Sequence, residues 1–285
     1  AGNIMPPDPL PPHAAHPEPA LDELVEGVLA GAGYRHISPD LIRWVGRQEM
    51  GKFRKLKDAI KSTRSRLHQT AAAYQDARMD YDRWLDELAA LPCDRRDPRL
   101  MDYCRRVMER HASTRERLPI LDQFFAVTLA GAAPLRSMLD IGCGMNPLAI
   151  PWMPVAGDFT YTGLDVYTDQ AHFLNAFLAH VGVAGEVRVH NILTGLPADM
   201  TRPQAVLLLK TLSCLEQLDK SISERLLPQI QADTVLVSYP LHSLGGRSKG
   251  MRENYQAHFE RLAGRLGWTP ELHEFQTELA FIVKL

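Results

Sequence analysis

Met138-Leu-Asp-Ile-Gly-Cys-Gly-Met-Asn-Pro147 reads as the end of a buried strand running straight into a glycine-bearing turn. Asp165 stands further on, at the end of a second strand-like run, Phe159-Thr-Tyr-Thr-Gly-Leu164. A strand, a Gly-x-Gly turn and an acidic residue closing the next strand are the parts of a site for an adenosine-bearing cofactor. Glycine lets backbone approach a ligand where a Cβ would clash, and a carboxylate accepts the hydrogens of both ribose hydroxyls. The details choose among such cofactors. A dinucleotide fold uses Gly-x-Gly-x-x-Gly, its third glycine opening a helix whose N-terminus holds a pyrophosphate. Here Pro147 takes that third position, and Asp140 precedes Gly142 by two. Asp-x-Gly-x-Gly without a phosphate cradle suits S-adenosylmethionine, which carries no phosphate. Gly142, Gly144 and Asp165 are therefore candidate cofactor residues of a methyl-transferring enzyme.

Outward from this stretch, the chain beyond residue 135 alternates strand and helix. The pattern predicts strands at 136–141, 159–164, 186–190, 205–210 and 233–239, with a closing hairpin at 271–275 and 278–284. Helices are expected at 147–153, 169–181, 218–230 and 252–264. Such alternation implies an α/β fold with a doubly wound, mostly parallel sheet. Upstream the period is helical. Leu21, Leu24, Val25, Val28 and Leu29 share one face, and Ser38-Pro-Asp reads as an N-cap opening the next helix. Residues 1–19 hold seven prolines and little apolar periodicity, the composition of a disordered tail. The expected division is a tail over 1–19, an all-helical domain over 20–110 and the cofactor-binding domain over 111–285. Ser113 or Thr114 is expected to cap the helix that leads through Leu129 into the first strand.

Bulk properties narrow the class. Hydrophobic residues make up 45% and charged residues 23%, as in a soluble globular protein. No run of eighteen apolar residues and no secretory leader are visible, so neither a membrane span nor a membrane partner is expected. The four cysteines, Cys93, Cys104, Cys143 and Cys214, are scattered without metal-ligand spacing. That pattern predicts no metal site, no disulfides and a cytoplasmic location. The net charge of −2 points to no partner, and no obligate protein partner is inferred.

The distribution of charge says more. From Arg43 to Arg66 nine Lys or Arg face two acids, Glu49 and Asp58. Lys57, Lys61 and Arg64 stack on a different helical face from Leu56, Ile60 and Leu67. Such a run is either a solvated helix face or a footprint for a nucleic-acid backbone. With so few local acids to absorb it, the RNA reading is favoured.

Ligands in open α/β sheets sit beyond the carboxyl ends of the strands. The segment Asn191–Thr194 leaves one such end, and Asn191 and Ile192 are candidates for adenine contact; a turn-forming Asn is the plain alternative. After the fourth strand stands Lys210-Thr-Leu-Ser-Cys-Leu-Glu216. It lacks the Asn/Asp-Pro-Pro-aromatic clamp of exocyclic-amine methylation and the Pro-linked cysteine of cytosine C5 chemistry. The acceptor is then an atom already nucleophilic, such as guanine N7, which has no proton to remove. Catalysis would consist of orientation and charge stabilisation, with Lys210 as the exposed polar residue beside the acceptor. Leu241-His-Ser-Leu-Gly-Gly-Arg-Ser-Lys-Gly-Met-Arg252 offers Arg247, Lys249 and Arg252 to phosphates or a base edge, or is an ordinary surface loop.

Four segments carry a family likeness: Arg66-Leu-His68, His111-Ala-Ser-Thr-Arg-Glu-Arg117, Leu139 through Met153, and Ser243-Leu-Gly-Gly-Arg-Ser-Lys-Gly-Met251 followed by Asn254-Tyr255. Together they resemble the aminoglycoside-resistance methyltransferases that modify a decoding-site guanine at N7 in 16S ribosomal RNA, over roughly residues 20–285. The resemblance implies a class I, Rossmann-like S-adenosylmethionine-dependent methyltransferase domain preceded by a helical domain that docks on the assembled 30S subunit. Lys57, Lys61, Arg64, Arg66, Arg247, Lys249 and Arg252 are then the RNA-binding candidates. His111, Ala112, Ser113 and Arg117 would line the cofactor pocket, Arg117 facing the methionine carboxylate, and Tyr74 would close over the cofactor. The chain departs from the family at Asn191, where relatives often have Asp, and at Ser213, where they commonly have Pro. Methylation of another RNA, or a 30S-binding module with a vestigial cofactor site, are the competing readings. Base flipping is expected of any enzyme acting on a paired base.

Overall fold

The stretch around Met138 forms an interior strand of a seven-stranded sheet in the computed structural model, which describes residues 18–70, 79–241 and 250–285. The strands are β1 (Leu135–Ile141), β2 (Val155–Asp165), β3 (Ala184–Val189), β4 (Ala205–Leu209), β5 (Thr234–Pro240), β6 (Glu271–Glu274) and β7 (Glu278–Lys284). Their order is β3-β2-β1-β4-β5-β7-β6. The first five run parallel, and β7 inserts antiparallel between β5 and β6. β4 reads Ala-Val-Leu-Leu-Leu with every residue buried, the composition of a strand covered on both faces. The chain winds from β1 out to β3, then returns to lay β4 on the other side of β1. That reversal opens a crevice at the carboxyl ends of β1 and β4.

The helices are α1 (Glu18–Leu29), α2 (Pro39–Met50), α3 (Leu56–Thr70), α4 (Tyr81–Ala89), α5 (Pro98–Met108), α6 (Ala112–Arg117), α7 (Leu121–Thr128), α8 (Thr168–His180), α9 (Leu212–Leu218), α10 (Ile222–Leu226) and α11 (Met251–Leu266). The period-2 alternation of β1 splits the interior into two cores. Leu139 and Ile141 share one with Leu24 and Val28 of α1, Leu41 and Val45 of α2, Leu67 of α3 and Phe259 of α11. Met138 shares the other with Trp84 of α4, Tyr103 of α5, Phe124 of α7 and Phe173 of α8. Trp84 is thus a core residue, 5.5 Å from the Tyr81 ring in an edge-on arrangement. Among the described residues no helix is long and apolar enough to cross a membrane.

Three local expectations change. The helix expected over 218–230 is broken into α9, α10 and a 3₁₀ turn, because extended Asp219 turns its carboxylate onto the Ser221 amide at 2.9 Å. The helix leading to β1 starts at Ala112, and Pro119 reduces its middle to a 3₁₀ turn. Neither Ser113 nor Thr114 caps it: Thr114 donates to the Met108 carbonyl at 2.8 Å. Pro147 and Pro151 likewise leave 146–152 as 3₁₀ instead of α-helix. The tail over residues 1–17 lies outside the described residues.

Candidate active site

Both turn glycines adopt the left-handed conformation, Gly142 at φ +67° and Gly144 at φ +50°. A Cβ at Gly142 would lie 2.7 Å from Thr211 Cγ2, and one at Gly144 would lie 2.7 Å from His111 Cε1. The turn is pinned from the neighbouring strand. Asp165 accepts from the Gly144 amide through one oxygen and from the Val166 amide through the other, each at 2.7 Å. Gln170 adds a bond to the Gly144 carbonyl at 3.2 Å. Burial raises the Asp165 pKa, against the pull of its amide hydrogen bonds.

These groups border a single cleft. Gly142, Gly144, Asp165, His111, Ser113, Asn191, Ile192 and Lys210 all line it, so the structure gathers eight of the sequence candidates in one place. Ala112 is buried but outside the lining. Tyr74 lies outside the described residues. The lining also includes Leu41 of α2, Thr70 of α3, Tyr167, His190, Leu215 and Leu218. Sequence reasoning missed these; only the apolar stripe of α2 marked Leu41, and nothing local pointed it toward the sheet. The helical segment reaches the cleft because Ser38 N–H donates to the Val166 carbonyl at 2.7 Å and Thr168 N–H to the His36 carbonyl at 2.9 Å. Asn191 takes the turn-forming role, its oxygen accepting from the Leu193 amide at 3.2 Å. An acid at a strand end, a backbone cradle that any Cβ would fill, and apolar walls fit an adenosine-bearing cofactor.

Beneath the cleft lies a buried charge network that revises the exposure expected of Lys210. Arg117 is 1% exposed. Its guanidinium forms a forked pair with Glu278, at 2.7 and 3.0 Å, and reaches Asn146 Oδ1 at 2.9 Å. It sits directly behind the cleft wall, holding Asn146, which does line the cleft. Lys210 is not exposed but 4% accessible. Its ammonium donates to the Ser113 carbonyl at 2.7 Å and to Glu116 at 2.9 Å, with Glu278 at 3.7 Å. Burial lowers its pKa, opposed by Glu278. Burial would lift the Glu278 pKa, yet Arg117 and Lys210 together hold it below the usual range. Lys210 also has φ +59°, a conformation costing a non-glycine residue roughly 1–2 kcal/mol. Glu278 was invisible to sequence reasoning because 161 residues separate it from Arg117.

Asp140 completes the layer. Its Oδ2 accepts from Tyr161 at 2.7 Å and Asn146 at 3.0 Å, while Oδ1 is buried without a hydrogen-bond partner. Burial, only partly offset by those two donors, pushes its pKa up to about 6.

The basic segment divides by function. Arg64 spends its guanidinium on the Gly27 and Val28 carbonyls at the end of α1, and Arg66 joins Gln48, Glu49 and the Leu218 carbonyl. Both guanidiniums are therefore held by groups of the fold itself. Arg43 and Arg47 pair with acids of α1. Lys57 and Lys61 are exposed and, with Arg54 and Lys55, make no ion pair among the described residues. Arg252 is bound to Glu274 at 2.6 Å, which removes it from the free cations. Arg247 and Lys249 lie outside the described residues.

Comparison with known proteins agrees with this geometry. Residues 30–282 match the family described as ribosomal RNA methyltransferase (FmrO). The 16S rRNA (guanine(1405)-N(7))-methyltransferase of Frankia casuarinae is 34% identical, over 94% of each chain. That of Micromonospora rosea is 31% identical, over 92% of this chain and 96% of its own. Among solved structures, the 16S rRNA methyltransferase RmtF in complex with S-adenosyl-L-homocysteine superposes with a TM-score of 0.76 at 28% identity, covering 93% of this chain and 98% of that one. The 16S rRNA methylase RmtB does so at 0.74 and 25%, covering 93% and 98%. The chain belongs to the ribosomal RNA methyltransferase (FmrO) family.

Proposed function

We propose that the cleft holds S-adenosylmethionine and that the protein transfers its methyl group to N7 of a decoding-site guanine in 16S rRNA, within the assembled 30S subunit. The observation that carries this reading is the joint placement of the Gly142–Gly144 cradle, Asp165 and Lys210 around one cleft in a chain of this family. Asp165 would take the ribose, the backbone of Gly142–Gly144 the methionine end, and Ile192 with Leu41 the flat sides of the adenine. The cofactor, when bound, supplies an electrophilic methyl on a positively charged sulfur. Guanine N7 offers a lone pair and no proton, so the residues need not include a general base. The ion-paired ammonium of Lys210 fits that requirement. Lys210 acts as a positioning residue: it fixes the Ser113 carbonyl and the Glu116 carboxylate at the rim where the base must enter. The leucine-rich walls exclude water from the transfer.

Lys57 and Lys61, which make no ion pair among the described residues, together with Arg54 and Lys55, supply the phosphate contacts for docking. Methylated N7 carries a positive charge where a cationic aminoglycoside would sit, which gives resistance by direct clash. The test is expression in a susceptible bacterium together with transfer assays on 30S subunits and free 16S rRNA. Transfer to 30S alone, with raised drug tolerance, is expected. Equal transfer to free RNA, or unchanged tolerance with soluble active protein, would refute the 30S or the resistance reading respectively.

A further inference from the structure

The loop joining α2 to α3 runs Gly51-Lys-Phe-Arg-Lys55. Phe53 in its middle is 41% exposed. Four large apolar side chains stand out in water among the described residues, Phe53, Val127, Val189 and Leu285, and Phe53 is the aromatic one. Isolated exposed side chains are ordinary, but this one has a setting. Its ring packs into neither core and makes no ring or cation–ring contact among the described residues. Its amide is tied to the Glu49 carbonyl at 3.2 Å, so the loop is held against the end of α2. Arg54 and Lys55 follow directly, and Lys57 and Lys61 continue on exposed positions of α3, all without ion pairs among the described residues. An aromatic residue left 41% exposed beside four cations that make no ion pair among the described residues matches the chemistry of an unstacked nucleotide: cations take the phosphates and the aromatic face takes the base.

We infer that Phe53 is a stacking platform for one unpaired base of the docked ribosomal RNA, an assignment that rests on the docking reading above. The ring adds affinity and register without charge, while the lysines add charge without register. Removing a base–aromatic stack weakens binding by roughly five- to a hundred-fold.

The experiment measures affinity of the full chain for purified unmodified 30S subunits across a salt series, for F53A, F53L, F53W and the double variant K57E/K61E. The expected result is that F53A and F53L lose affinity by that factor, F53W keeps it, and the salt slope of all three stays that of the unaltered protein. Their melting temperatures and S-adenosylmethionine affinities should be unchanged, which separates a contact from a structural role. K57E/K61E should lose affinity and flatten the slope, since each phosphate contact contributes about one unit. If F53A binds normally while K57E/K61E is impaired, the stacking assignment is wrong and docking stands. If both bind normally, the docking reading itself fails. An F53L that binds as well as the unaltered protein would also overturn stacking, because leucine has no planar face.

Discussion

Two residues set the terms of the cofactor cleft. Gly144 is needed because any Cβ there meets His111 at 2.7 Å and because its φ is +50°. Gly144→Ala should therefore lower S-adenosylmethionine affinity by at least tenfold in calorimetry while leaving the melting temperature within a few degrees; unchanged affinity would mean the turn does not touch the ligand. Asp140 makes a prediction about pH. Its folded pKa of about 6 lies above the ordinary 3.8, so the folded chain binds the proton more tightly than the unfolded one. Stability from this group is then present at low pH and falls as pH rises from about 4 to 6, remaining low above. Asp140→Asn keeps an acceptor for Tyr161 and Asn146 and removes the buried charge. It should raise stability at pH 7.5 by about 1–3 kcal/mol, and the gain should shrink on acidification toward pH 4. A melting-temperature gap that is constant between pH 5 and 7.5 would contradict this.

At the scale of elements, α3 shows what one helix face can hide. Arg66 and Lys57 look alike in the charge run, but Arg66 serves buried Glu49 and the α9 carbonyl of Leu218 while Lys57 faces water. Arg66→Ala leaves Glu49 short of a partner and unhooks α3 from α9. It should cost about 2–3 kcal/mol in denaturant unfolding, whereas Lys57→Ala should stay within about 0.5 kcal/mol. The reverse ranking would mean that the carbonyl link is weak in solution. The same contrast explains what could be read from the sequence. β1, β2 and β4 announced themselves because their runs end at Gly142, Asp165 and Lys210; the doubly wound, mostly parallel character of the sheet followed from alternation, but its strand order did not. The meeting of Asp165 and the glycines at one cleft was legible because it is written in local spacing. Arg117, Arg64 and Arg66 were not, because their partners, Glu278, the Gly27 carbonyl and Glu49, lie on other elements and the sequence records no distance between them. Helix breaks at Asp219 and Pro119 were under-read for a related reason: a continuous apolar period masks a single residue that diverts the backbone.

In the whole molecule the helical segment and the sheet share one core, and the segment supplies Leu41 and Thr70 to the cleft. The isolated bridge between Ile37 and Tyr167 stitches the α2 entrance to the strand end that carries Asp165. If RNA docks on α3 as proposed, docking and cofactor binding at the sheet would be felt by the same packed layer. Binding of S-adenosylmethionine should slow amide exchange in residues 38–42 as well as in 142–146; protection confined to the glycine turn would show the two parts to be independent. The central claim is guanine N7 methylation, and the most direct measurement maps the modified nucleotide. Purified 30S subunits would be incubated with the protein and S-adenosylmethionine, and their 16S rRNA then reduced and cleaved by the chemistry that reports N7-methylguanine. One new strand break is expected, at a decoding-site guanine, and weakened at limiting S-adenosylmethionine when the Gly144→Ala variant is used. Methyl incorporation without scission at any guanine, or breaks scattered over many sites, would contradict it.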